Sequence, residues 1–194
     1  AEGYVRDPEL VIDFYNERRK QLLDVEPNAG HTGLAELEKD FNVTVVTQNV
    51  DNLHERAGST HVIHLHGELT KVCSSRDPYN PRYVRELKPE EYEVKMGDKA
   101  GDGSQLRPFI VWFGEAVPEI ETAIGYVEKA DIFVIIGTSM NVYPAAGLLN
   151  YVPRTAEVYL IDPKPVDTHS MRQIHVIQKG ASEGVKELKT EILH

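Results

Sequence analysis

Four histidines lie close together in one stretch of the chain, at His54, His61, His64 and His66. A histidine titrates near neutral pH, so it can accept a proton from a hydroxyl group and return it later in a reaction. For a lone histidine, the commoner alternative is a ring that is only hydrogen-bonded within a sheet. The cluster therefore indicates a candidate general base without selecting one of the four.

A group of amides and carboxylates follows the apolar, β-branched run Val43–Val46, which predicts a buried strand. The group includes Gln48, Asn49 and Asp51. In an open α/β sheet, residues just past the carboxyl end of a strand face the ligand crevice. These side chains are suited to bonding amide and hydroxyl groups of a ligand, although Asn and Asp also stabilise turns. A second strand, predicted at Val62–Leu65, leads to His66.

Two more strand ends carry residues suited to ligand binding. Gly137, Thr138 and Ser139 follow an apolar strand predicted at Ile132–Ile136, and their small size would let backbone amides approach a phosphate or ribose. A glycine after a strand is more often only a turn. Asp162 follows a strand predicted at Glu157–Ile161, where acidic residues of Rossmann folds bond ribose hydroxyls.

Tyr15 and Arg18 lie one turn apart on a predicted helix, so they share a face. Asp7-Pro8-Glu9 is typical of a helix start, with Asp7 as the cap. An arginine on a helix is usually a solvated surface residue.

Helices and strands alternate along the chain, which predicts an α/β fold with a doubly wound, Rossmann-like parallel sheet covered on both faces. The polar segment 70–105, with scattered prolines and glycines, is predicted to be an irregular, small insertion module within a single domain 1–194. The remaining predicted elements are a helix at Ala29–Lys39 capped by Asn28, a strand at Phe109–Phe113, helices at Ile120–Lys129 and Pro144–Tyr151, a strand at His175–Ile177, and a closing helix capped by Ser182.

Composition excludes several function classes. The chain has 194 residues, 41% of them hydrophobic, and a formal charge of −10, which argues against a nucleic-acid partner and favours basic protein segments. One cysteine, Cys73, allows no intrachain disulfide, and no apolar run has the length to span a membrane. We therefore predict a soluble, cytoplasmic protein with no membrane partner. The oligomeric state stays open.

Four motifs in order along the chain resemble the sirtuins, the NAD-dependent protein lysine deacylases. They are Thr47-Gln48-Asn49-Val50-Asp51, His64-Leu65-His66-Gly67-Glu68-Leu69, Val111-Trp112-Phe113-Gly114-Glu115 and Gly137-Thr138-Ser139. The Tyr15-x-x-Arg18 pair resembles the bacterial desuccinylase-like branch of that family. The resemblance implies NAD as a co-substrate and acyl-lysine proteins as substrates.

The resemblance also assigns roles within the cofactor site. The histidine directly before Gly-Glu-Leu is the family's general base, which selects His66 and leaves His64 structural. The same comparison implies that Asn49 and Asp51 line the nicotinamide pocket and that Gln48 contacts the nearby ribose. Gly137, Thr138 and Ser139 would grip the cofactor, Asp162 would bond the adenosine ribose, and Ala181 would lie in the adenine loop Gly180-Ala181-Ser182.

The substrate site is implied in the same way. Phe113-Gly114-Glu115 and Asn141-Val142-Tyr143 resemble the two segments between which sirtuins hold the substrate as an added strand. Val111 and Phe113 would wall the tunnel for the lysine stem, although any buried strand would carry such residues. Tyr15 and Arg18 would favour succinyl- or malonyl-lysine over acetyl-lysine.

The implied reaction is a two-stage acyl transfer. The acyl-lysine carbonyl oxygen attacks the ribose carbon of NAD as nicotinamide leaves, and His66 then takes a proton from a ribose hydroxyl so that its oxygen attacks the acyl carbon. Water finally releases free lysine and O-acyl-ADP-ribose. Two alternatives are a non-catalytic NAD or ADP-ribose binding module and a protein ADP-ribosyltransferase, since a fold alone separates none of these.

The chain departs from the family pattern in two places. Sirtuins commonly hold zinc with two Cys-x-x-Cys pairs, whereas this interval contains only Cys73, so we predict no structural zinc and no metal ligands. The family's first strand and its Gly-Ala-Gly-Ile-Ser turn do not occur in the sequence. We therefore expect a chain that lacks the N-terminal glycine-rich unit and binds NAD weakly by itself.

Overall fold

The computed structural model describes residues 2–137, 145–166 and 172–194. The chain forms two compact units. Unit 1 comprises Ala1–Glu26, Thr47–Asn52 and His64–Pro118, and unit 2 comprises Pro27–Val46, Leu53–Ile63 and Glu119–His194. None of the helices within the described residues combines the length and apolarity needed to cross a membrane.

Unit 1 begins with two helices, α1 (Glu2–Arg6) and α2 (Pro8–Leu22). The sequence predicted α2 but not α1. The cap of α2 is confirmed, because the Asp7 carboxylate accepts a hydrogen bond from the backbone N–H of Leu10 at 3.1 Å. Pro8 occupies the first turn, where its missing N–H costs no intrahelical bond.

The sheet of unit 1 is antiparallel. Strand β3 (Gly67–Ser74) lies between β4 (Arg85–Glu86) and β5 (Leu106–Ile110). The prediction of an irregular segment from Thr70 onward is therefore wrong at its start. Polar residues concealed the strand because it buries only part of its surface: Leu69 and Val72 are buried while the intervening Thr70 and Lys71 are not.

The strand predicted at Phe109–Phe113 is also displaced. β5 ends at Ile110, and it pairs with β3 rather than joining a parallel sheet. The register places Gly67 opposite Ile110, and beyond that pair the chain turns. One buried apolar cluster joins α2, the sheet of unit 1 and the segment 70–105, so that segment packs into the same core as α2. The members of the cluster are Ile12, Val72, Leu87, Val94, Ala100 and Leu106, with Tyr4 packed against them.

The sheet of unit 2 is parallel, as predicted. Strands β6 (Ile132–Ile136), β7 (Glu157–Ile161) and β8 (His175–Ile177) follow one another in that order, and all three have the predicted bounds. Each strand is short and mostly apolar, a pattern that can be read from the sequence of the strand alone. The α/β fold class with a Rossmann-like parallel sheet is confirmed.

The helices of unit 2 are α3 (Ala29–Glu36), α4 (Leu53–Arg56), α5 (Ile120–Val127), α6 (Ala145–Leu148) and α7 (Ala181–Ile192). The predicted Asn28 cap is confirmed, since its side chain accepts from the backbone N–H of His31 at 3.0 Å. Ser182 is not a cap, because α7 begins one residue earlier, with Gly180 at the cap position. Pro144, the predicted start of α6, lies outside the described residues.

Apolar packing organises unit 2. α7 contacts α3, β7 and β8. The buried cluster comprises Leu37, Tyr159, Ile161, Ile177, Val185 and Leu188. Two further short strands, β1 (Val45–Thr47) and β2 (Val62–His64), form a two-stranded sheet, with β1 starting two residues later than predicted and β2 ending one residue earlier.

Candidate active site

His66 lies in unit 1, in the two-residue turn between β2 and β3, and its ring contacts a glutamine amide. Its Nε2 lies 3.3 Å from Oε1 of Gln48, and the ring is partly buried. The Gln48 amide can serve either protonation state of His66, since its oxygen accepts and its nitrogen donates. A base that must gain and then return a proton benefits from such a partner.

Backbone bonds hold the residues around His66 in register. The N–H of Leu65 donates to the carbonyl of Thr47 at 2.9 Å, and the N–H of Asn49 donates to Oγ1 of Thr47 at 3.0 Å. His64 Nδ1 lies 3.0 Å from the carbonyl oxygen of Asn49, so that nitrogen is the donor. His64 is buried, which agrees with the predicted structural role, and Asn49 is exposed.

Gly67 allows the close approach of β3 and β5 beside His66. Its φ is +88°, and a Cβ at this position would collide with the carbonyl oxygen of Phe109. The N–H of Val111 donates to the carbonyl of His66 at 2.8 Å. The candidate base and the segment predicted to hold the substrate are thus joined by a direct main-chain bond.

The segment after β5 forms a closed turn. The N–H of Glu115 donates to the carbonyl of Trp112 at 2.9 Å, and the N–H of Trp112 donates to Oε1 of Glu115 at 2.8 Å. Gly114 has a φ of +89°, a conformation that favours glycine. Phe113 projects into solvent, whereas Val111 is buried. Of the residues predicted to bind substrate, Glu115 is therefore engaged inside its own turn.

A buried arginine fixes that turn. Arg107, only 4% exposed, contacts both carboxylate oxygens of Glu115 at 3.2 Å and donates to the carbonyl of Ile110 at 2.8 Å. Tyr79 donates its hydroxyl to Glu115 at 2.8 Å. Burial would raise the pKa of Glu115, but hydrogen bonds from Arg107, the Trp112 N–H and Tyr79 lower it overall. Burial, reinforced by the bond to Glu115, raises the pKa of Tyr79 to about 12.

Tyr15 and Arg18 lie on α2 in unit 1, as predicted, but their surroundings differ. Tyr15 is partly buried and accepts a hydrogen bond from the indole Nε1 of Trp112 at 3.1 Å. Arg18 is exposed, with its guanidinium 5.8 Å from the centre of the Phe14 ring. Tyr15 is therefore held in place, and Arg18 presents a charge to solvent.

Asn16 and Arg19, which follow Tyr15 and Arg18 along α2, hold segment 70–105 by hydrogen bonds to its backbone. The Asn16 amide donates to the carbonyl of Val94 at 2.7 Å and accepts from its N–H at 2.9 Å. Arg19 donates to the carbonyl of Tyr92 and to Asn16, both at 2.9 Å. Burial lowers the pKa of Arg19 to about 10, so the guanidinium stays charged at neutral pH.

A second polar node joins the end of β3 to the loop before β5. The buried Ser74 hydroxyl donates to the carboxylate of Asp102 and accepts from the N–H groups of Arg76 and Asp77 at 3.0 and 2.9 Å. Ser104 also donates to Asp102. Cys73 next to this node donates to the carbonyl of Pro108 at 3.7 Å, and burial raises the pKa of its thiol to about 12. The expectation of no structural zinc stays a prediction.

The remaining predicted cofactor residues lie in unit 2. Gly137 follows β6 and has a φ of +64°, and Asp162 follows β7, where one of its carboxylate oxygens accepts from the N–H of Lys164 at 2.8 Å. Ala181 opens α7, whose first N–H groups receive no side-chain cap from Gly180. An uncapped helix start and a small-residue turn fit the phosphates and riboses of a dinucleotide. Thr138, Ser139 and Val142 lie outside the described residues.

Sequence reasoning missed Arg107, Trp112, Asn16 and Ser74 as organisers of the site. One signal was available: Arg107 is a lone charge in the otherwise uncharged run Leu106–Ile110, and a charge in such a run needs a partner. Asn16 and Ser74 carried no such signal, because polar residues on helices and strand ends are usually solvated.

Comparison with known proteins gives concordant matches. The Sir2 family profile matches residues 1–144. An NAD-dependent protein deacylase of Bacteroides thetaiotaomicron is 85% identical over 188 residues, which are 97% of this chain and 80% of that protein. A Sir2 homolog solved as its NAD complex has a TM-score of 0.83 at 34% identity, covering 100% of this chain and 75% of that one. A structure described as Sir2-p53 peptide-NAD+ has a TM-score of 0.77 at 29% identity, covering 98% of this chain and 80% of that chain.

Proposed function

This chain belongs to the Sir2 family, and on that premise we propose how its residues carry out the family's reaction. It is an NAD-dependent protein deacylase. It removes acyl groups from lysine side chains and yields nicotinamide and O-acyl-ADP-ribose. The observation that carries the residue assignment is His66, placed at a strand end with its Nε2 3.3 Å from the Gln48 amide.

NAD supplies an electrophilic ribose carbon and nicotinamide as the leaving group. Within unit 1, His66 is the general base that removes a proton from a ribose hydroxyl. Gln48 supports both protonation states of His66 and contacts the ribose. Asn49 and Asp51 orient the carboxamide.

Within unit 2, the cofactor's phosphates and adenosine are bound by backbone and carboxylate groups. Gly137 offers backbone that a side chain does not obstruct, Asp162 offers its second carboxylate oxygen, and Ala181 begins an uncapped helix. The family motif extends this assignment to Thr138 and Ser139. These groups fit a dinucleotide because backbone amides can donate to its phosphates and a carboxylate can accept from its ribose hydroxyls.

Acyl-lysine proteins are the proposed partners, and nucleic acids and membranes are not. The segment from Val111 to Glu115 would hold the substrate as an added strand, with Val111 and Phe113 against the lysine stem and Gly114 allowing main-chain contact. The family motif extends this assignment to Val142. A charge of −10 supports attraction of basic protein segments, and the single cysteine supports a cytoplasmic location.

Tyr15 and Arg18 are the proposed readers of an acidic acyl group. Arg18 is exposed and charged, and the position of Tyr15 is fixed by Trp112. A terminal carboxylate on succinyl or malonyl would bond both side chains. Segment 70–105 is the proposed replacement for a zinc-bound module within a single catalytic domain, ordered by the bonds of Asn16, Arg19 and Ser74.

The test combines NAD with acetyl-lysine and succinyl-lysine peptides and follows nicotinamide release and peptide mass. It uses the chain itself and a version with the family's glycine-rich unit joined to its N-terminus. We expect acyl loss in step with nicotinamide release, faster for succinyl. Binding of ADP-ribose without release of nicotinamide would instead indicate a binding module, and transfer of label from NAD to protein without acyl loss would indicate an ADP-ribosyltransferase.

A further inference from the structure

We propose that Trp112 sets the acyl preference of the enzyme by positioning the hydroxyl of Tyr15. The inference rests on the proposed function, in which Tyr15 and Arg18 bind the carboxylate of an acidic acyl group. Trp112 is a positioning residue in this proposal, because it acts through Tyr15 and need not touch the substrate.

The contact between the two side chains has a defined direction. The indole Nε1–H of Trp112 lies 3.1 Å from the Tyr15 hydroxyl oxygen. An indole nitrogen can only donate, so the Tyr15 oxygen is the acceptor. The tyrosine therefore keeps its own O–H hydrogen for another acceptor, and rotation of that hydrogen toward the indole is excluded. A carboxylate at the acyl end is an acceptor of the required kind.

Trp112 itself is held from several sides. The Arg107 guanidinium carbon lies 3.9 Å from the centre of its ring, and the ring of Tyr4 lies 5.2 Å away. The backbone N–H of Trp112 is bonded to Glu115. An indole in this position cannot swing without losing the stacking on Arg107, so its N–H is a fixed donor.

The charge of Arg107 is already balanced by Glu115. Both carboxylate oxygens of Glu115 lie 3.2 Å from the guanidinium of Arg107. Arg107 is therefore a support for the Trp112 ring and not a competing site for an acyl carboxylate. Arg18, which is exposed and lies over the Phe14 ring, supplies the positive charge, while the Tyr15 hydroxyl supplies a directed hydrogen bond.

The preference for succinyl-lysine over acetyl-lysine should fall when Trp112 is replaced by an aromatic residue that lacks the indole N–H. Trp112→Phe retains an aromatic face over Arg107 but leaves the Tyr15 hydroxyl free to rotate. We expect the ratio of kcat/KM for succinyl-lysine over acetyl-lysine peptide to fall by about fivefold, the value of one ordinary hydrogen bond. The loss should appear mainly in KM for the succinyl peptide, since binding of the acyl end is what weakens.

A double-mutant cycle separates positioning from a general structural role. Tyr15→Phe should lower the same ratio by about tenfold or more, because it removes a hydrogen bond to a charged group. Adding Trp112→Phe to Tyr15→Phe should change the ratio no further, since the two residues act through one hydroxyl. Tyr126→Phe removes a phenol hydroxyl in unit 2 and is the matched control, with an unchanged ratio. The midpoint of thermal unfolding of each variant checks that it folds.

Trp112 also provides a readout that does not depend on turnover, because it is the only tryptophan of the chain. Binding of the succinyl peptide should change its fluorescence in the parent chain and have a much smaller effect in Tyr15→Phe. The proposal is overturned if both proteins respond alike, if Trp112→Phe slows both peptides equally, or if the two substitutions are additive. Turnover of neither peptide by the parent protein that carries the glycine-rich unit would overturn the proposed function and this inference with it. Turnover of both peptides, with a succinyl-to-acetyl ratio that Trp112→Phe leaves unchanged, would overturn the inference alone.

Discussion

The two units of the molecule are stabilised by different kinds of buried contact. Unit 2 is organised by apolar packing of a three-stranded parallel sheet against helices, with Val158, Leu160 and Leu188 fully buried. Unit 1 has an apolar cluster too, but buried polar side chains fix its irregular segments. Asn16 and Ser74 bond groups that are 78 and 28 residues away in sequence, and Arg107 bonds the carboxylate of Glu115 within its own segment.

The difference matters for function because unit 1 carries His66 and the segment proposed to bind substrate. An apolar core tolerates substitutions of similar volume, whereas a buried polar network requires every partner. A network is also directional, so it fixes the orientation of Trp112 and hence of Tyr15. The side chains of unit 1 therefore have well-defined orientations, but the loss of a single hydrogen-bonding group from the network should destabilise the unit.

The largest expected effect comes from leaving the buried charge of unit 1 without its partner. Glu115→Ala removes the carboxylate that Arg107, Tyr79 and the Trp112 N–H all share. We expect the free energy of unfolding to fall by about 3–5 kcal/mol, the usual result of breaking a buried ion pair from one side. Chemical denaturation measures it, with the exposed Glu119→Ala as the control.

The same site offers a sharper comparison. Replacing Arg107 and Glu115 together by leucine removes the charge as well as its partner, so the loss should be smaller than for Glu115→Ala alone. A larger loss for the double variant would mean that the ion pair itself, and not the stranded charge, dominates.

In unit 2, the corresponding destabilising change is a substitution that leaves a cavity in the apolar core. Leu188 on α7 is fully buried, and Leu188→Ala should lower the free energy of unfolding by about 3 kcal/mol through lost burial and an unfilled space. Leu188→Met conserves volume and should cost less than about 1.5 kcal/mol. Equal losses for the two variants would show that shape, and not apolar volume, decides the packing there.

The smallest expected effect is a change in acid stability. Hydrogen bonds from Ser104 and Ser74 lower the pKa of Asp102 from 3.8 to about 2. Because the folded-state pKa is lower than the unfolded one, the stabilisation is complete above about pH 4 and is lost as the pH falls toward 2. Asp102→Asn should therefore flatten the pH dependence of stability in that window. An unchanged profile between pH 4 and pH 2 would contradict the assignment.

The same contrast decides what the sequence could predict. β6, β7 and β8 were predicted with the correct bounds because each is a short apolar run, a signal contained in the strand itself. β3 was missed because the polar residues Thr70 and Lys71 interrupt its buried residues, and the boundary of β5 was wrong because pairing with Gly67 sets it. A local pattern reveals a mostly apolar strand more readily than a strand in which polar residues interrupt the buried ones.

The candidate site divides in a similar way. His66 was selected by its motif, and the structure places its Nε2 3.3 Å from the Gln48 amide, a contact that the sequence did not predict. Its role as general base stays a prediction. Arg107 and Asn16 escaped notice because their roles depend on three-dimensional neighbours: the Asn16 amide bonds Val94, which is 78 residues away in sequence. Glu115 was assigned to the substrate, yet its carboxylate closes its own turn, a role that spacing alone does not reveal.

The central claim, that His66 is the general base of an NAD-dependent deacylase, is tested most directly by His66→Ala against His61→Ala. Both remove a histidine from the same stretch of sequence, but His61 bonds Thr44 in unit 2 and has no part in the proposed chemistry. With the glycine-rich unit present, we expect acyl loss to fall at least about 100-fold in His66→Ala, the lower range for general acid–base catalysis, and to persist in His61→Ala. Thermal unfolding should show both variants folded. Acyl loss within about threefold of the parent in a folded His66→Ala would contradict the claim, since a general base contributes far more than that.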